Sequence, residues 1–288
     1  MTGIGAVDES VPLAGVSMSP SEQIPSEHLL AVDVGNSRIK FGLFDAEACD
    51  RERTLLPHCL QSAAVSIGDP LPWETIRDWA NAYDGRFSVR GIVAGTNPDG
   101  VKTVLRTWPS DLGPLPEMIC ESAALPLAVR VEAPEKVGID RLLNALAAKR
   151  LCPAGCPVLI IDSGTATTVD AVSAEGAFLG GAILPGLELS ARALHRYTAL
   201  LPLISIEELA AVSPEALGRD TRPALLSGLF WGQVGAVREL IARLETYLGA
   251  AEQPLLLVTG GGGELLVPHL PDAVWKPHLA LQGLCLTH

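Results

Sequence analysis

The sequence predicts an α/β protein made of two similar halves, each with a mixed sheet, and a ligand cleft between them. The first observation is a sequence pattern that occurs twice, about 130 residues apart. In each copy, an apolar run typical of a buried strand ends in an Asp-x-Gly turn, and a second predicted strand follows. The second observation is that each copy opens the same succession of three strands, a helix, and then alternating strands and helices. The 288 residues suffice for two domains of about 130 residues, each with its own core.

Composition narrows the class of protein. The formal net charge is −12 and the isoelectric point is about 4.9, so the surface repels phosphate backbones and we expect no nucleic-acid partner. The six cysteines are scattered without a disulfide framework, which is typical of a reduced, intracellular protein. Residues 1–27 lack the basic start of a signal peptide, and no apolar run approaches the roughly 20 residues of a membrane span. We therefore expect a cytoplasmic protein with no membrane partner.

The first half begins after a predicted disordered extension, residues 1–27, which is rich in Ser, Pro and Gly. Apolar runs predict strands over 29–34, 39–44, 53–56 and 89–94, with short candidates over 118–120 and 127–131. Helices are predicted over 73–83, 101–108 and 138–150. The segment 152–157 contains Pro and Gly and breaks the chain, so the two domains are predicted to span 28–156 and 157–288.

The second half repeats this plan. Strands are predicted over 158–162, 167–172, 178–184 and 255–259, and helices over 187–197, 206–210, 221–248 and 264–267. Four glycines, Gly260–Gly263, follow the last of these strands and remove the side chains there, which would permit adenine or ribose to lie against the backbone. A flexible turn explains the four glycines equally well.

Both Asp-x-Gly turns contain the groups that a nucleotide phosphate needs. The first turn is Asp33-Val34-Gly35-Asn36-Ser37, and the second is Asp162-Ser163-Gly164-Thr165. Backbone N–H groups near a glycine can approach phosphate oxygens, a hydroxyl group can add a hydrogen bond, and the carboxylate can hold the accompanying cation. Either turn alone would also suit an ordinary β-turn. The matching strand context of the two copies favours one nucleotide held between them.

Asp140 lies in the first turn of the helix predicted over 138–150, next to Arg141. One interpretation is structural, because an acidic residue near a helix N-terminus stabilises the helix by about 0.3–1 kcal/mol. The other is catalytic: Asp140 would take a proton from an alcohol as a general base while Arg141 holds an anionic group of the substrate bidentately. The two residues alone leave both interpretations open.

Five motifs of the chain together resemble those of type III pantothenate kinase. They are Asp33-x-Gly35-Asn36-Ser37-x-x-Lys40-Phe41, Gly138-x-Asp140-Arg141, Asp162-x-Gly164-Thr165-Ala166-Thr167-Thr168, Gly180-Gly181-x-Ile183-x-Pro185-Gly186 and Thr259-Gly260-Gly261. The resemblance runs from Leu29 to the Leu281-x-Gly283-Leu284 ending. It implies the actin-like ATPase superfamily of acetate kinase, sugar kinases, Hsp70 and actin, with two ribonuclease H-like domains, mixed sheets and an interdomain nucleotide cleft. It also implies ATP-dependent phosphorylation of pantothenate to 4′-phosphopantothenate, the first step of coenzyme A biosynthesis.

The resemblance also implies a role for each matching residue. Asp140 corresponds to the proton acceptor of the family. ATP binding is implied for Asp33, Val34, Gly35, Asn36, Ser37, Arg38, Ile39, Lys40, Thr165, Gly260 and Gly261. Pantothenate binding is implied for Gly138, Ile139, Asp140 and Arg141, with Thr221 completing the site at the interface of a homodimer. Asp33 would orient Mg²⁺ through water, and Asp162 would bind a monovalent cation, K⁺ or NH₄⁺.

Two alternatives stay open on the sequence. The family commonly has a tyrosine seven residues before the glycine of its Gly-x-Asp-Arg motif, and Val131 occupies that position here. The first alternative is therefore a kinase of the same superfamily that acts on another small alcohol. The second is a non-catalytic homologue that binds nucleotide as a regulator. Loss of Asp33, Asp140 or Asp162 would indicate such a homologue, and all three residues are present.

Overall fold

The structure is a computed structural model that describes residues 28–49, 55–82, 89–151, 155–211, 213–249 and 253–287. The predicted N-terminal extension, residues 1–27, lies outside these residues, as do residues 152–154 of the predicted domain break. Within the described residues the chain forms two five-stranded sheets and eight α-helices.

The first sheet begins with the hairpin that contains the first Asp-x-Gly turn. Its strands are β1 (His28–Val34), β2 (Arg38–Asp45), β3 (Gln61–Ser66), β4 (Val89–Gly95) and β5 (Glu117–Ile119). They lie in the order β3-β2-β1-β4-β5, with antiparallel pairs from β3 to β1 and parallel pairs from β1 to β5. The central strand β1 is buried along its whole length, which explains its continuous apolar run.

The second sheet has the same topology. Its strands are β6 (Val158–Ser163), β7 (Ala166–Val172), β8 (Phe178–Pro185), β9 (Leu255–Thr259) and β10 (Val274–Trp275). They lie in the order β10-β9-β6-β7-β8, again with antiparallel pairs from β8 to β6 and parallel pairs from β6 to β10. The prediction of two similar halves is therefore confirmed.

The predicted helices are all present among the described residues, and one more follows near the C-terminus. The helices are α1 (Trp73–Asn81), α2 (Pro98–Thr107), α3 (Ile139–Leu151), α4 (Leu187–Tyr197), α5 (Ile206–Ala211), α6 (Thr221–Leu248), α7 (Gly263–Leu266) and α8 (Leu279–Cys285). Local chemistry sets their ends. The side chain of Asn97 accepts a hydrogen bond from the backbone N–H of Gly100 at 3.0 Å and so caps α2. Gly249 ends α6 with a left-handed φ of 54°.

Two strand predictions in the first half are wrong. The pattern predicts a third strand over 53–56, but residues 50–54 lie outside the described residues and Leu55 and Leu56 are not in a strand. The third strand of the sheet is β3, an edge strand whose side chains are exposed or half-buried, so it lacks the apolar run of a central strand. The candidate strand over 127–131 forms only an isolated bridge between Val129 and Phe178.

Helices α3 and α8 lie between the two sheets and join them in one core. The cluster around these helices includes Leu29 and Phe44 from the first sheet and Ile160 and Phe178 from the second. The outer face of the first sheet packs against α1 and α2, and the outer face of the second packs against α4, α5 and α6. Although α8 comes after the second sheet, it contacts β1, β2 and β4 of the first. The domain boundary after residue 156 stays a prediction.

The close approach of α3 and α8 predicts a large effect of one methyl group. A Cβ atom on Gly283 would fall within contact distance of the carbonyl oxygen of Leu143 and lie 2.6 Å from its carbonyl carbon. We predict that Gly283→Ala lowers the free energy of unfolding by about 1–3 kcal/mol, because the backbone of α3 must move. Gly232→Ala is the control: this exposed position of α6 has no atom within 4 Å of the added Cβ, and the change should add about 0.5–1 kcal/mol. Urea unfolding measures both, and an undiminished stability of Gly283→Ala would contradict this packing.

Candidate active site

Three aspartates from different parts of the chain meet in one cavity of about 520 Å³. Asp33 lies near the end of β1, Asp162 near the end of β6, and Asp140 in the first turn of α3. Because β1 and β6 occupy equivalent places in their sheets and α3 lies between the sheets, the three carboxylates face the same cleft.

Asp33 is buried and forms an ion pair with Lys40 across the hairpin of β1 and β2. The two residues are direct partners in the antiparallel register, and Nζ of Lys40 lies 3.5 Å from Oδ2 of Asp33. Burial raises the pKa of Asp33, although the charge of Lys40 opposes this shift. Burial also disfavours the charge of Lys40, but the surrounding carboxylates, Asp33 first and then Asp162 and Asp140, outweigh it and raise the pKa of Lys40. Among the described residues, Oδ1 of Asp33 has no hydrogen-bond partner.

The carboxyl group of Asp140 has a pKa close to neutrality. Burial contributes most, and the negative charge of Asp33 adds to it, so the pKa of Asp140 rises from 3.8 to about 6. The backbone N–H of Arg141 donates a hydrogen bond to Oδ1 of Asp140 at 2.9 Å and opposes the shift. Gly138 leaves room for this carboxyl group, because a Cβ there would lie 2.6 Å from Oδ1. A carboxyl group in a cleft with such a pKa can act as a general acid or base.

Arg141 follows Asp140 in the sequence but pairs with Asp170 on β7. Its Nε lies 3.0 Å from Oδ1 and 3.2 Å from Oδ2 of Asp170, and Nη2 also donates to Oδ1. The guanidinium carbon lies 5.4 Å from the centre of the Phe178 ring, at the distance of a cation–π contact. Arg141 lines the cavity, and among the described residues nothing accepts a hydrogen bond from its Nη1. That nitrogen is therefore available to an anion in the cavity.

Asp162 is held in a cradle of backbone at the end of β6. Nδ2 of Asn144, on α3, donates a hydrogen bond to Oδ2 of Asp162 at 2.8 Å. The other carboxylate oxygen borders two glycines: a Cβ on Gly164 would lie 3.6 Å from Oδ1, and Gly260, with a φ of 86°, packs against Asp162 and Ser163. A side chain at Gly260 would therefore collide with Oδ1 of Asp162, and a side chain at Gly164 would contact it.

The two Asp-x-Gly turns contact each other across the cleft. Oγ1 of Thr165 donates a hydrogen bond to Oγ of Ser37 at 2.7 Å. The first turn is closed by a hydrogen bond of 2.9 Å from the backbone N–H of Gly35 to the carbonyl of Arg38. The guanidinium group of Arg38 lies beside Gly261, where a Cβ would be 3.3 Å from Nη1. Both turns and the glycines at 260–262 thus line the same cavity.

Most of the residues predicted to bind ligands line this cavity. They are Asp33, Gly35, Asn36, Ser37, Arg38, Lys40, Asp140, Arg141, Asp162, Thr165, Gly260 and Gly261. The side chains of Val34, Ile39 and Ile139 instead belong to the hydrophobic core. Gly138 lies against Asp140, and Thr221 is exposed at the first residue of α6, outside the cavity lining of this single chain.

Sequence reasoning missed three polar residues of the site. Asp170 is an acidic residue inside the buried strand β7, and a buried carboxylate normally has a partner, so its position was a usable signal. Asn144 interrupts the apolar face of α3 and is buried. His278 lines the cavity, and burial, with the nearby charges of Lys40 and His58, lowers its pKa. Nothing in the sequence pattern indicates a role for His278.

Comparison with known proteins places the chain in a family. The family model described as type III pantothenate kinase matches residues 29–243. The type III pantothenate kinase of Dehalococcoides mccartyi (strain 195) is 34% identical over 270 residues, which cover 90% of this chain and 96% of that protein. The type III pantothenate kinase of Paramagnetospirillum magneticum is 36% identical over 277 residues, with coverages of 90% and 96%. The chain belongs to the type III pantothenate kinase family.

Solved structures share the fold of this type III pantothenate kinase family member at low sequence identity. The activator of the 2-hydroxyisocaproyl-CoA dehydratase from Clostridium difficile has a TM-score of 0.54 and 10% identity, covering 90% of this chain and 93% of that chain. Component A of the (R)-2-hydroxyglutaryl-CoA dehydratase from Acidaminococcus fermentans has a TM-score of 0.50 and 13% identity, with coverages of 91% and 96%. Together with the two mixed sheets, these likenesses confirm the predicted α/β fold class.

Two features are absent from the described residues, namely a membrane-spanning helix and a cluster of metal-binding side chains. In that part of this type III pantothenate kinase family member, no helix has the length and apolar content needed to cross a membrane. The same residues contain no group of three or more His, Cys, Asp or Glu side chains placed to hold a metal ion. A Mg²⁺ ion held by one or two carboxylates, water and substrate phosphates does not need such a group.

The raised pKa of Asp140 predicts a gain of stability when its charge is removed. The unfolded chain ionises this carboxyl group near pH 3.8 and the folded chain near pH 6, so folding stability falls as the pH rises between these values. Above about pH 6 the full penalty of about 3 kcal/mol applies. We predict that Asp140→Asn raises the free energy of unfolding at pH 8 by about 1–3 kcal/mol, and that the gain shrinks towards pH 5. Urea unfolding without nucleotide measures this, and a variant less stable than the parent at pH 8 would contradict the burial of the charge.

Proposed function

We propose that this chain transfers the γ-phosphoryl group of ATP to pantothenate and so forms 4′-phosphopantothenate, the first step of coenzyme A biosynthesis, in the cytoplasm. The observation that carries the proposal is the cavity in which Asp33, Asp140 and Asp162 lie between two Asp-x-Gly turns. Membership of the family supplies the substrate, because the relatives that are 34% and 36% identical are named type III pantothenate kinase.

Asp140 is the proposed general base. Its carboxylate takes the proton of the pantothenate hydroxyl group as the hydroxyl oxygen attacks the γ-phosphorus of ATP. The bond between the γ-phosphorus and the β,γ-bridging oxygen breaks, and ADP leaves. A pKa of about 6 suits this role, because the carboxylate is ionised at neutral pH and still accepts a proton readily.

ATP is proposed to bind along the two turns. In the segment from Asp33 to Lys40, backbone N–H groups and the charge of Lys40 would stabilise the phosphates, since positioning and electrostatic stabilisation dominate phosphoryl transfer. Thr165 would add a hydroxyl group, and the glycines at 260 and 261 would face the adenosine. The buried, unpartnered Oδ1 of Asp33 fits the proposal that this residue holds Mg²⁺ through water. When bound, Mg²⁺ neutralises charge on the β- and γ-phosphates.

Asp162 is proposed to bind a monovalent cation, K⁺ or NH₄⁺. The support is the cradle around its Oδ1, where Gly164 and Gly260 keep side chains away from the carboxylate oxygen. The hydrogen bond from Asn144 fixes the other oxygen and so the orientation of the carboxylate. A cation there would add positive charge beside the phosphates of ATP.

Pantothenate is proposed to bind at the segment from Gly138 to Arg141, with its carboxylate at Nη1 of Arg141 and its hydroxyl group near Asp140. Thr221 would come from a second copy of the chain, so the active enzyme would be a homodimer. Exposed apolar side chains on α4 and the segment after it support such an interface; they are Leu189, Leu194, Tyr197 and Leu200.

The direct test is ADP release from a mixture of the protein, ATP, Mg²⁺, K⁺ and pantothenate, with pantothenate omitted as the control. Release that depends on pantothenate supports the proposal. If ADP release depends on another small alcohol and not on pantothenate, that alcohol is the substrate. Val131, where the family commonly has a tyrosine, would then be the first residue to examine as the cause of the changed specificity. Nucleotide binding without any release would indicate the regulatory homologue.

The proposed base predicts the effect of Asp140→Asn on turnover. The amide keeps the size of the carboxyl group but cannot accept the proton, so kcat should fall by about 10²–10⁴ while ATP still binds. In the parent, kcat/KM for pantothenate should fall as the pH drops below about 6, where Asp140 becomes protonated. Asp111→Asn, which breaks an exposed ion pair with Arg77, is the control and should keep full activity. Turnover of Asp140→Asn within threefold of the parent would exclude Asp140 as the base.

The proposed cation site predicts a specific response to potassium. Replacing K⁺ by Na⁺ should raise the KM for ATP, because the smaller ion fits the space beside Asp162 less well. Asp162→Asn keeps the shape of the side chain but removes its charge, and it should abolish the difference between the two ions. Steady-state rates over a range of ATP in each salt measure this. A parent enzyme indifferent to K⁺ would exclude the assignment.

A further inference from the structure

A buried ion pair lies beside the proposed site, and the proposed mechanism does not use its acidic partner. The side chain of Asp170 is 1% exposed and that of Arg141 is 15% exposed. Nε and Nη2 of Arg141 both donate hydrogen bonds to Asp170. The pair thus occupies the Nε and Nη2 side of the planar guanidinium group and leaves Nη1 without a hydrogen-bond partner among the described residues, while Arg141 lines the cavity.

The second sheet is built to hold the carboxylate of Asp170. Thr168 and Asp170 share one face of β7, since successive side chains of a strand alternate, and Oγ1 of Thr168 donates a hydrogen bond to Oδ2 of Asp170 at 2.9 Å. Gly181 is the partner of Asp170 on β8, and a Cβ there would lie 2.5 Å from Oδ1. The absent side chain at Gly181 therefore makes the space in which the carboxylate meets Arg141.

Stability does not account for this pair. Removing two charges from water costs several kcal/mol per ion, and buried ion pairs often stabilise a fold no better than apolar residues of similar volume. The surroundings give another reason for its presence. Arg141 directly follows Asp140, and Asp33 and Asp162 line the same cavity. An arginine without a fixed partner would form a bidentate pair with one of these carboxylates.

We propose that Asp170 is a positioning residue, which holds the guanidinium group of Arg141 away from the carboxylate of Asp140 and leaves Nη1 for the carboxylate of the substrate. This inference rests on the proposed function. Asp140 then stays without a cationic side chain of its own and keeps its basicity, while Arg141 presents one fixed donor to the anionic end of pantothenate.

The test is a comparison of Michaelis constants in Asp170→Asn. Without the charge of Asp170, the guanidinium group of Arg141 turns to Asp140, so the KM for pantothenate should rise tenfold or more while the KM for ATP stays within twofold. The positive charge brought to Asp140 should also move the acid limb of kcat/KM to lower pH. Asp111→Asn is the matched control, because it breaks another bidentate Arg–Asp pair, on the exposed surface, and should change neither constant.

A double-mutant cycle shows whether Asp170 acts through Arg141. Arg141→Ala alone should raise the KM for pantothenate far more than that for ATP, and Asp170→Asn should add less than twofold in the Arg141→Ala background. Thr168→Val is the second variant in case Asp170→Asn does not fold. It removes only the hydroxyl group that orients Asp170, and it should raise the KM for pantothenate about two- to fivefold in the parent and not in the Arg141→Ala background.

Three results would overturn the proposal. One is a folded Asp170→Asn enzyme, or failing that a Thr168→Val enzyme, whose KM for pantothenate stays within twofold of the parent. Another is an equally large rise in the Arg141→Ala background, since Asp170 would then act independently. The third is a loss of kcat with both Michaelis constants unchanged, which indicates a smaller folded fraction. If the parent itself fails to release ADP with pantothenate, the proposed function falls and this inference falls with it.

Discussion

Three carboxylates of like charge lie close together where the two sheets meet, and the elements around them are arranged to hold them there. Asp33, Asp140 and Asp162 face one cavity, and the ion pair of Lys40 compensates only part of their charge. Burial raises the pKa of Asp140 most, and the negative charges of Asp33 and Asp162 raise it further. Holding these carboxylates close together therefore costs free energy, and a ligand that brings cations to them would reduce that cost.

The repeated topology explains how three carboxylates can be forced into one place. Each sheet contributes an aspartate from its central strand, and the strand pairs fix these positions with backbone hydrogen bonds. The third carboxylate comes from α3, which is packed between the sheets and against α8. All these elements pack into the hydrophobic core, and the free energy gained by burying their apolar side chains offsets the electrostatic penalty at the site.

The sequence predicted those parts of the structure that local patterns determine. Both hairpins, α3 and the position of Asp140 follow from short apolar runs, turns and helical spacing. The edge strand β3 and the two-residue strand β10 escaped prediction, because neither has an apolar run of its own. The pairing of Arg141 with Asp170, 29 residues apart, depends on how α3 packs on β7, and no local pattern encodes that distance. The Gly180-Gly181 motif was visible in the sequence, but its physical reason needed the register of β7 and β8.

Asp140 and Arg141 are consecutive residues of α3 with opposite charges, and the proposed mechanism requires that their side chains do not pair with each other. Consecutive residues of a helix point about 100° apart, which separates Asp140 from Arg141 at their Cα atoms but not at the end of a long, flexible arginine side chain. A further fixed charge is needed to select one of the positions that the guanidinium group can reach. Asp170 supplies it from β7, and the cation–π contact with Phe178 favours the same position. The buried carboxylate of Asp170 therefore has an effect that an apolar residue could not reproduce: it keeps the proposed base, Asp140, and the adjacent cation, Arg141, from pairing with each other.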